Sequence, residues 1–234
     1  MSVDVIGTSL GQPPPDVDST LATAEIPRSK LGAARHARLT DAERELYVWI
    51  LRRFATHGRP SSKEMRTATE RLGIDPKDAL ETFAREDLVH RGADGEISVA
   101  YPFSGRPTAH RVCFPNGHEV DAMCAIDALG VAPMLGLPIE ITSRDPVSAA
   151  EVWVRLDPGD AARWEPEQAV VLAGSACCDG PSFGGCCDVL NFFESAQNAE
   201  QYLREHDQVR GLPISIPTAS QLGSTVFGDI FKEA

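Results

Sequence analysis

The chain has 234 residues, of which 42% are hydrophobic and 24% charged, a balance typical of a soluble globular protein. Its formal net charge of −12 disfavours a nucleic acid or an anionic membrane as partner, because either would require a basic surface. The sequence contains no apolar run long enough to cross a bilayer and no secretory signal in residues 1–15, so we expect a cytoplasmic protein. Because the cytosol is reducing, the six cysteines are predicted to be thiols.

The N-terminal third contains a leader and three helix signals. Residues 1–37 have a proline-rich run and no sustained hydrophobic period, so they are predicted to be a flexible leader. Three helices are then expected, opened by capping boxes at Thr40 and Ser61 and by the pair Asp75-Pro76. Apolar residues follow each cap at helical spacing, so each helix should bury one face.

A predicted hairpin follows these helices, with its turn at Asp94-Gly95. Three helices and a hairpin indicate a winged-helix-like module over residues 38–105. Residues 75–87, which include the third helix, carry five acidic side chains against two basic ones. Such a helix would be repelled by phosphates, so we expect a structural role for the module rather than DNA binding.

Residues 106–234 are predicted to form the main domain, with a mixed β-sheet and flanking helices, which makes the whole chain α+β. Strands are expected at residues 110–114, 139–142, 152–156, 169–172 and 214–216. The apolar stretch 124–137 is interrupted by Pro133, and its first half is predicted to be a buried helix. Two further helices are expected at about 198–206 and 219–231.

Cys124 and Asp127 are the first candidate site residues. They are three positions apart in the predicted buried helix, which places thiol and carboxyl on one face. With Asp121 as N-cap, Cys124 would lie in the first turn, where the helix dipole lowers the pKa of a thiol. Burial would raise the pKa of Asp127 and suit it to proton transfer. The alternative is a small core residue beside a salt-bridged carboxylate.

Four further cysteines form two adjacent pairs, Cys177-Cys178 and Cys186-Cys187, in a glycine-rich segment. Neither pair has the two-residue gap of a zinc knuckle, so a structural zinc site is the less favoured interpretation. Soft thiolates beside glycines favour a thiophilic metal instead, although one member of each pair could simply face the core. The remaining candidates, His110, His118 and His206, are not spaced as a ligand set and are expected to be core or surface residues.

Two segments resemble the organomercurial (alkylmercury) lyase family. Residues 123–129 are similar to its Cys-Ala-Leu-Asp segment, and residues 185–193 are similar to its Cys-Cys…Phe-Phe segment. The resemblance extends from about Leu39 to the C-terminus. It implies that Cys124 and Cys186 are the two catalytic cysteines, that Asp127 is the catalytic aspartate, and that these three residues hold the Hg(II) product. Cys187 would be a supporting thiol, with Cys177 and Cys178 as accessory thiols.

The reaction implied by the resemblance is protonolysis of a carbon–mercury bond. Two sulfur donors would polarise the bond toward carbon, and Asp127 would deliver the proton, giving a hydrocarbon and Hg(II). No cofactor is expected, because mercury enters as substrate and leaves as product. Free thiols would be needed for turnover, with Hg(II) passing to them or to an acceptor protein such as mercuric reductase. Two departures from the family pattern are Met123, where an aromatic residue is common, and Asp145, near a cysteine of some members.

Two alternative functions use the same residues. A non-catalytic copper or mercury carrier would bind the metal through the paired cysteines and release no product. A metal-responsive regulator would use the winged-helix-like module on DNA, which the acidic third helix disfavours.

Overall fold

The structure is a computed structural model, and it describes residues 18, 19, 22, 35–176 and 186–231. Most of the predicted leader and the cysteine pair Cys177-Cys178 therefore lie outside the described residues. At the end of the predicted leader, the side chains of Arg35 and His36 are buried, with 9% and 2% of their surface exposed.

The first three helices begin at the caps that the sequence predicts. They are α1 (Asp41–His57), α2 (Ser62–Leu72) and α3 (Pro76–Arg85). Both capping boxes are present, with the hydroxyl oxygens of Thr40 and Ser61 each accepting the backbone N–H three residues ahead at 3.3 Å. Asp75 accepts the N–H groups of the first turn of α3. These predictions are confirmed because a cap depends only on nearby residues.

A large sheet of eight strands occupies the centre of the molecule. Its strands are β1 (Val89–Arg91), β2 (Ile97–Ala100), β3 (Phe103–Ser104), β4 (His110–Cys113), β5 (Glu119–Ala122), β6 (Ile139–Arg144), β7 (Glu151–Leu156) and β8 (Arg163–Glu165). The strand order is β1-β2-β3-β5-β4-β6-β7-β8. Because β2 pairs with β3 and β3 with β5, the sheet continues across the predicted domain boundary at residues 105/106.

A smaller sheet of three strands has the order β10-β9-β11, formed by β9 (Val170–Ala176), β10 (Phe192–Phe193) and β11 (Val209–Ser215). Every strand pair in the described residues is antiparallel, so the prediction of a mixed sheet is wrong. Most connections are short turns, and a parallel pair would require a crossover of a dozen or more residues. The broader prediction of an α+β fold is confirmed.

The remaining helices are α4 (Ala125–Leu135), α5 (Cys186–Val189), α6 (Ala196–Glu205) and α7 (Ile216–Phe227). Helix α4 does not stop before Pro133, as the sequence suggested, because a proline so near the C-terminus removes a single hydrogen bond. Helix α7 begins earlier than predicted because Ser215 caps it and Pro217 lies in its first turn. Among the described residues, no helix combines the length and the hydropathy that crossing a bilayer requires.

Helices α4 and α7 pack closely at two glycines. A Cβ atom on Gly223 would lie 2.8 Å from the backbone nitrogen of Gly130 and 3.0 Å from the carbonyl oxygen of Ile126. Both neighbours belong to the backbone of α4, which cannot move without disturbing the first turns of that helix. The two glycines therefore let the helix backbones approach closely, and Phe227 of α7 packs against Gly130.

The replacement Gly223→Ala should destabilise the protein by about 1–3 kcal/mol, because the new methyl group overpacks the crossing. Helix propensity alone would predict a gain of about 1 kcal/mol, so the two effects have opposite signs. Urea unfolding monitored by circular dichroism measures the difference. Gln221→Ala, on the exposed face of the same helix, is the control, and equal stability of the two variants would contradict the close packing.

Candidate active site

Cys124 is the residue that joins the large sheet to α4. Strand β5 ends at Ala122, and Cys124 is the N-cap of α4, with φ −154° and ψ 177°. Its Sγ accepts the backbone N–H of Asp127 at 3.4 Å. The prediction of Asp121 as N-cap is wrong, because Asp121 belongs to β5 and pairs with Arg111 of β4. The side chain of Cys124 is buried, with 2% exposed.

Asp127 lies in the first turn of α4 and turns its carboxyl toward the cap. The thiol of Cys124 donates to its Oδ2 at 3.0 Å. Only 6% of Asp127 is exposed, so water has little access to its carboxyl. The predicted proximity of thiol and carboxyl is confirmed, but Cys124 reaches the carboxyl as the N-cap of α4 and not from within its first turn.

Cys187 brings a second thiol to the same carboxyl from the far part of the chain. It lies in the single turn of α5, which leads into β10, and its Sγ is 3.8 Å from Asp127 Oδ2. The segment is held in place by the backbone N–H of Ala125, which donates to the carbonyl oxygen of Leu190 at 2.8 Å. The two sulfurs and a carboxylate oxygen of Asp127 all lie within 4.8 Å of one another, and all three residues are buried.

The other four cysteines lie apart from this cluster or have side chains outside the described residues. Cys186 is the first residue of α5, but its side chain lies outside the described residues, as do Cys177 and Cys178 entirely. Its expected role as second catalytic cysteine therefore stays a prediction. Cys113, on β4, is half-buried and its thiol donates to Glu119 at 3.6 Å, apart from the cluster.

Burial dominates the electrostatics of the cluster. The pKa of Cys124 is raised well above its usual value, first by burial and then by the neighbouring Cys187 thiol and Asp127 carboxyl. The expectation that the helix terminus would lower this pKa is wrong, because loss of water costs an anion more than the helix dipole returns. Burial also raises the pKa of Asp127 from 3.8 to about 7, although hydrogen bonds from the thiols and the charge of Arg35 oppose the rise. The predicted rise at Asp127 is confirmed.

Two groups beside the cluster were not singled out from the sequence. The hydroxyl oxygen of Tyr101 lies 3.8 Å from Cys187 Sγ. Arg35, from the end of the predicted leader, forms a buried ion pair with Asp87 at 3.0 Å, and Asp87 also bonds to His90 at 2.7 Å. Neither contact has a local sequence signature, because each joins residues far apart in the chain.

The histidines and Asp145 have structural partners. His110 bonds to Ser143 at 2.9 Å, and burial lowers its pKa to about 4, so it is neutral. His118 and His206 bond to backbone carbonyls at 2.8 Å, and the described metal-ligating cluster is formed by Cys124, Asp127 and Cys187. Asp145, 1% exposed, accepts the N–H of Glu194 at 2.9 Å and thereby ties the β6–β7 turn to the chain after β10.

Comparisons with known proteins agree on one family. The model of the alkylmercury lyase family matches residues 103–228, more than half of the chain. The chain is 25% identical over 179 residues to an alkylmercury lyase of Streptomyces lividans, covering 75% of this chain and 80% of that protein. It is 26% identical over 138 residues to an alkylmercury lyase of Staphylococcus epidermidis (strain ATCC 12228 / FDA PCI 1200), covering 59% and 62% respectively.

A solved structure supports the fold. The crystal structure of the mercury-bound form of MerB2 superposes with a TM-score of 0.71 at 21% identity, covering 86% of this chain and 98% of that chain. At this identity the likeness concerns the fold alone. The family match rests on the sequence, and it spans both Cys124-Asp127 and the Cys186-Cys187 segment. The chain belongs to the alkylmercury lyase family.

Proposed function

We propose that this chain is an organomercurial lyase, which cleaves the carbon–mercury bond of alkyl- and arylmercury compounds by protonolysis in mercury detoxification. The observation that carries the proposal is the buried cluster of Cys124, Asp127 and Cys187, with its sulfur and oxygen atoms within 4.8 Å of one another. Two soft sulfur donors suit mercury, and one acid suits delivery of a proton to carbon. Membership in the family supports the same reaction.

The first step is capture of the substrate by Cys124. Its thiol already donates to Asp127 Oδ2 at 3.0 Å, which gives the proton a direct path. Because the pKa of Asp127 is about 7, a large share of this carboxyl is ionised at neutral pH and accepts the proton. The raised pKa of the Cys124 thiol does not prevent this step, since a thiol that binds a soft metal loses its proton as the bond forms.

The second step adds another sulfur to mercury and breaks the bond to carbon. A second thiolate donates electron density to mercury and makes the organic group a better base. The protonated Asp127 then gives its proton to that carbon, which leaves as hydrocarbon. The balance is one organomercury cation and two thiols giving one hydrocarbon, Hg(II) bound to two thiolates, and one proton released to solvent.

The second sulfur comes from the adjacent pair in α5. The resemblance to the family assigns this role to Cys186, with Cys187 as support. Among the described side chains, Cys187 lies beside the acid, with its Sγ 3.8 Å from Asp127 Oδ2 and within 4.8 Å of the Cys124 sulfur. We therefore propose Cys124, Asp127 and one member of this pair as the catalytic residues, with Cys187 favoured by its position.

Release of Hg(II) and a reducing compartment are the remaining requirements for turnover. Hg(II) held by buried thiolates leaves only when other thiols compete for it, so turnover requires free thiols or a thiol-bearing acceptor such as mercuric reductase. The cluster works only when reduced, which suits the cytoplasm. No resident cofactor takes part in the steps derived above.

We also propose that α1–α3 and the β1–β2 hairpin act as a winged-helix-like support for the site. The hydroxyl of Tyr47 in α1 donates to the carbonyl oxygen of Tyr101 at 2.7 Å, which links the helices to the strand end beside Cys187. The hairpin is continuous with the large sheet through β3. This arrangement serves the active site rather than a DNA surface.

Purified protein incubated with phenylmercury and excess thiol should release benzene well above a thiol-only control. Cys124→Ser should lower the rate by at least about 100-fold, because the replacement removes the sulfur next to the acid. Cys113→Ser is the matched control, since its thiol lies outside the cluster, and should retain the wild-type rate. Gas chromatography of benzene measures both. Tight mercury retention without benzene, unaffected by Asp127→Ala, would support the carrier function instead.

Comparison of Cys186→Ser with Cys187→Ser should identify the second sulfur. If Cys187 supplies the second sulfur, as its place in the cluster leads us to propose, Cys187→Ser should lose about 100-fold or more in benzene release and Cys186→Ser should lose less. Single-turnover rates measured with one equivalent of phenylmercury separate the chemical step from product release. Loss confined to Cys186→Ser would instead assign the second sulfur as the family resemblance does.

Asp127→Asn should stabilise the protein at pH 8 but not at pH 4. Since burial raises the folded pKa to about 7 from 3.8, the folded state holds a proton that the unfolded state releases. The wild-type free energy of unfolding therefore falls as pH rises from about 4 to about 7, by about 1–4 kcal/mol, and the neutral amide avoids this loss. Urea unfolding at both pH values measures the effect.

The control for this measurement is Asp157→Asn. Its carboxylate is hydrogen-bonded to Arg155 and Arg163, which lower its pKa, so its replacement should have the opposite sign at pH 8. If Asp127→Asn gains no stability at pH 8, the carboxyl does not occupy the dehydrated position described.

A further inference from the structure

The hydroxyl of Tyr101 is a polar group beside the Cys187 sulfur to which the steps above give no role. Its oxygen lies 3.8 Å from Cys187 Sγ, the same distance that separates this sulfur from Asp127 Oδ2. Tyr101 is buried, with 5% exposed, so water does not satisfy its hydroxyl freely. Buried hydroxyl groups in proteins nearly always have a hydrogen-bond partner, and the sulfur lies where this partner is needed.

The position of this hydroxyl is fixed through the backbone and ring of Tyr101. The backbone N–H donates to the carbonyl oxygen of Leu88 at 3.1 Å, and the carbonyl oxygen accepts the hydroxyl of Tyr47 at 2.7 Å. Tyr47 is fully buried. The ring of Tyr101 meets His90 edge-on, with centroids 6.5 Å apart and planes at 88°. Because both the backbone and the ring of Tyr101 have fixed contacts, its hydroxyl occupies a defined position.

The chemistry of the sulfur determines what this hydroxyl does. The Cys187 thiol has one proton and lies 3.8 Å from two oxygens to which it can donate, the Tyr101 hydroxyl and Asp127 Oδ2. When the thiol proton points to Asp127, the sulfur lone pairs are open to the hydroxyl of Tyr101. Once mercury replaces that proton, the sulfur can only accept hydrogen bonds. A phenol keeps its proton at neutral pH, so the Tyr101 hydroxyl stays a donor.

We propose that Tyr101 is a positioning residue whose hydroxyl donates a hydrogen bond to the Cys187 sulfur, directing it toward Asp127 and Cys124 and stabilising it when it carries mercury. This inference rests on the proposed lyase function and adds a residue to its site. Tyr101 acts through Cys187 and does not itself need to touch the substrate. Its hydroxyl replaces the water that would solvate a thiolate in an open site.

The experiment uses Tyr101→Phe, which removes one oxygen and keeps the ring. Tyr202→Phe is the matched control, because Tyr202 is a half-buried tyrosine that stacks on His206, outside the cluster. Each reduced full-length protein receives one equivalent of HgCl2, and the ultraviolet charge-transfer band from thiolate to mercury is recorded. Loss of a hydrogen bond makes the sulfur a better electron donor, so the Tyr101→Phe band should move to longer wavelength while the Tyr202→Phe band does not.

Kinetics with phenylmercury and excess thiol provide the second readout. Tyr101→Phe should lower kcat by about tenfold, with little change in KM, because the Cys187 sulfur is no longer held toward Asp127 and Cys124. This loss of position outweighs the gain in electron donation from the sulfur. An unshifted band together with an unchanged kcat would overturn the role of Tyr101. If wild-type protein releases no benzene but the band still shifts in Tyr101→Phe, the lyase function fails while the contact with sulfur stands.

A double-variant cycle on mercury-free protein keeps the inference testable even if Tyr101→Phe folds poorly. The fall in the thermal midpoint caused by Tyr101→Phe is measured in the wild type and in Cys187→Ala. A smaller fall in Cys187→Ala is expected, because the partner sulfur is already missing. Equal falls would show that the hydroxyl and the sulfur do not interact, which overturns the proposal.

Discussion

The hydrogen bond from the Cys124 thiol to Asp127 is the interaction on which the rest of the site depends. It is 3.0 Å long and both partners are buried. Because water cannot solvate a charge at this depth, burial disfavours the ionised form of each group. The pair therefore rests as a neutral thiol beside a carboxyl that is half ionised near pH 7. In the proposed mechanism, a soft metal that binds the sulfur releases the thiol proton to the neighbouring oxygen, and the same oxygen returns it to carbon. Burial of a carboxyl usually costs stability. We propose that here it raises the pKa of Asp127 to a value suited to proton transfer.

This arrangement requires two sheets to meet. Cys124 and Asp127 belong to the end of β5 and the start of α4, and close packing of α4 against α7 at Gly130 and Gly223 fixes their depth. Cys187 arrives with α5 and β10 from the smaller sheet. The bonds from Ala125 to Leu190 and from Glu194 to Asp145 join the two parts of the chain on either side of β10. Because the thiols come from segments about sixty residues apart, the site exists only when these long-range contacts have formed.

Local features were predictable from the sequence, and features that depend on long-range packing were not. The caps at Thr40, Ser61 and Asp75 and the proximity of Cys124 to Asp127 follow from neighbours within four residues. The pKa of the Cys124 thiol was predicted in the wrong direction because its burial comes from distant elements. The approach of the Cys187 sulfur depends on backbone angles in the turn of α5, which adjacent cysteines do not reveal. The contact of Tyr101 with that sulfur joins two elements with no common motif.

The central claim is that two sulfurs and one carboxyl converge on a single mercury ion. Crystals of the reduced protein grown with one equivalent of HgCl2, with data collected at the mercury absorption edge, would locate the ion by anomalous scattering. We predict one dominant peak, from a mercury ion bonded to Cys124 Sγ and to a sulfur of the Cys186-Cys187 pair, with the Asp127 carboxyl beside it. A dominant peak on Cys113 or on Cys177-Cys178, with the cluster of Cys124, Asp127 and Cys187 empty, would contradict it.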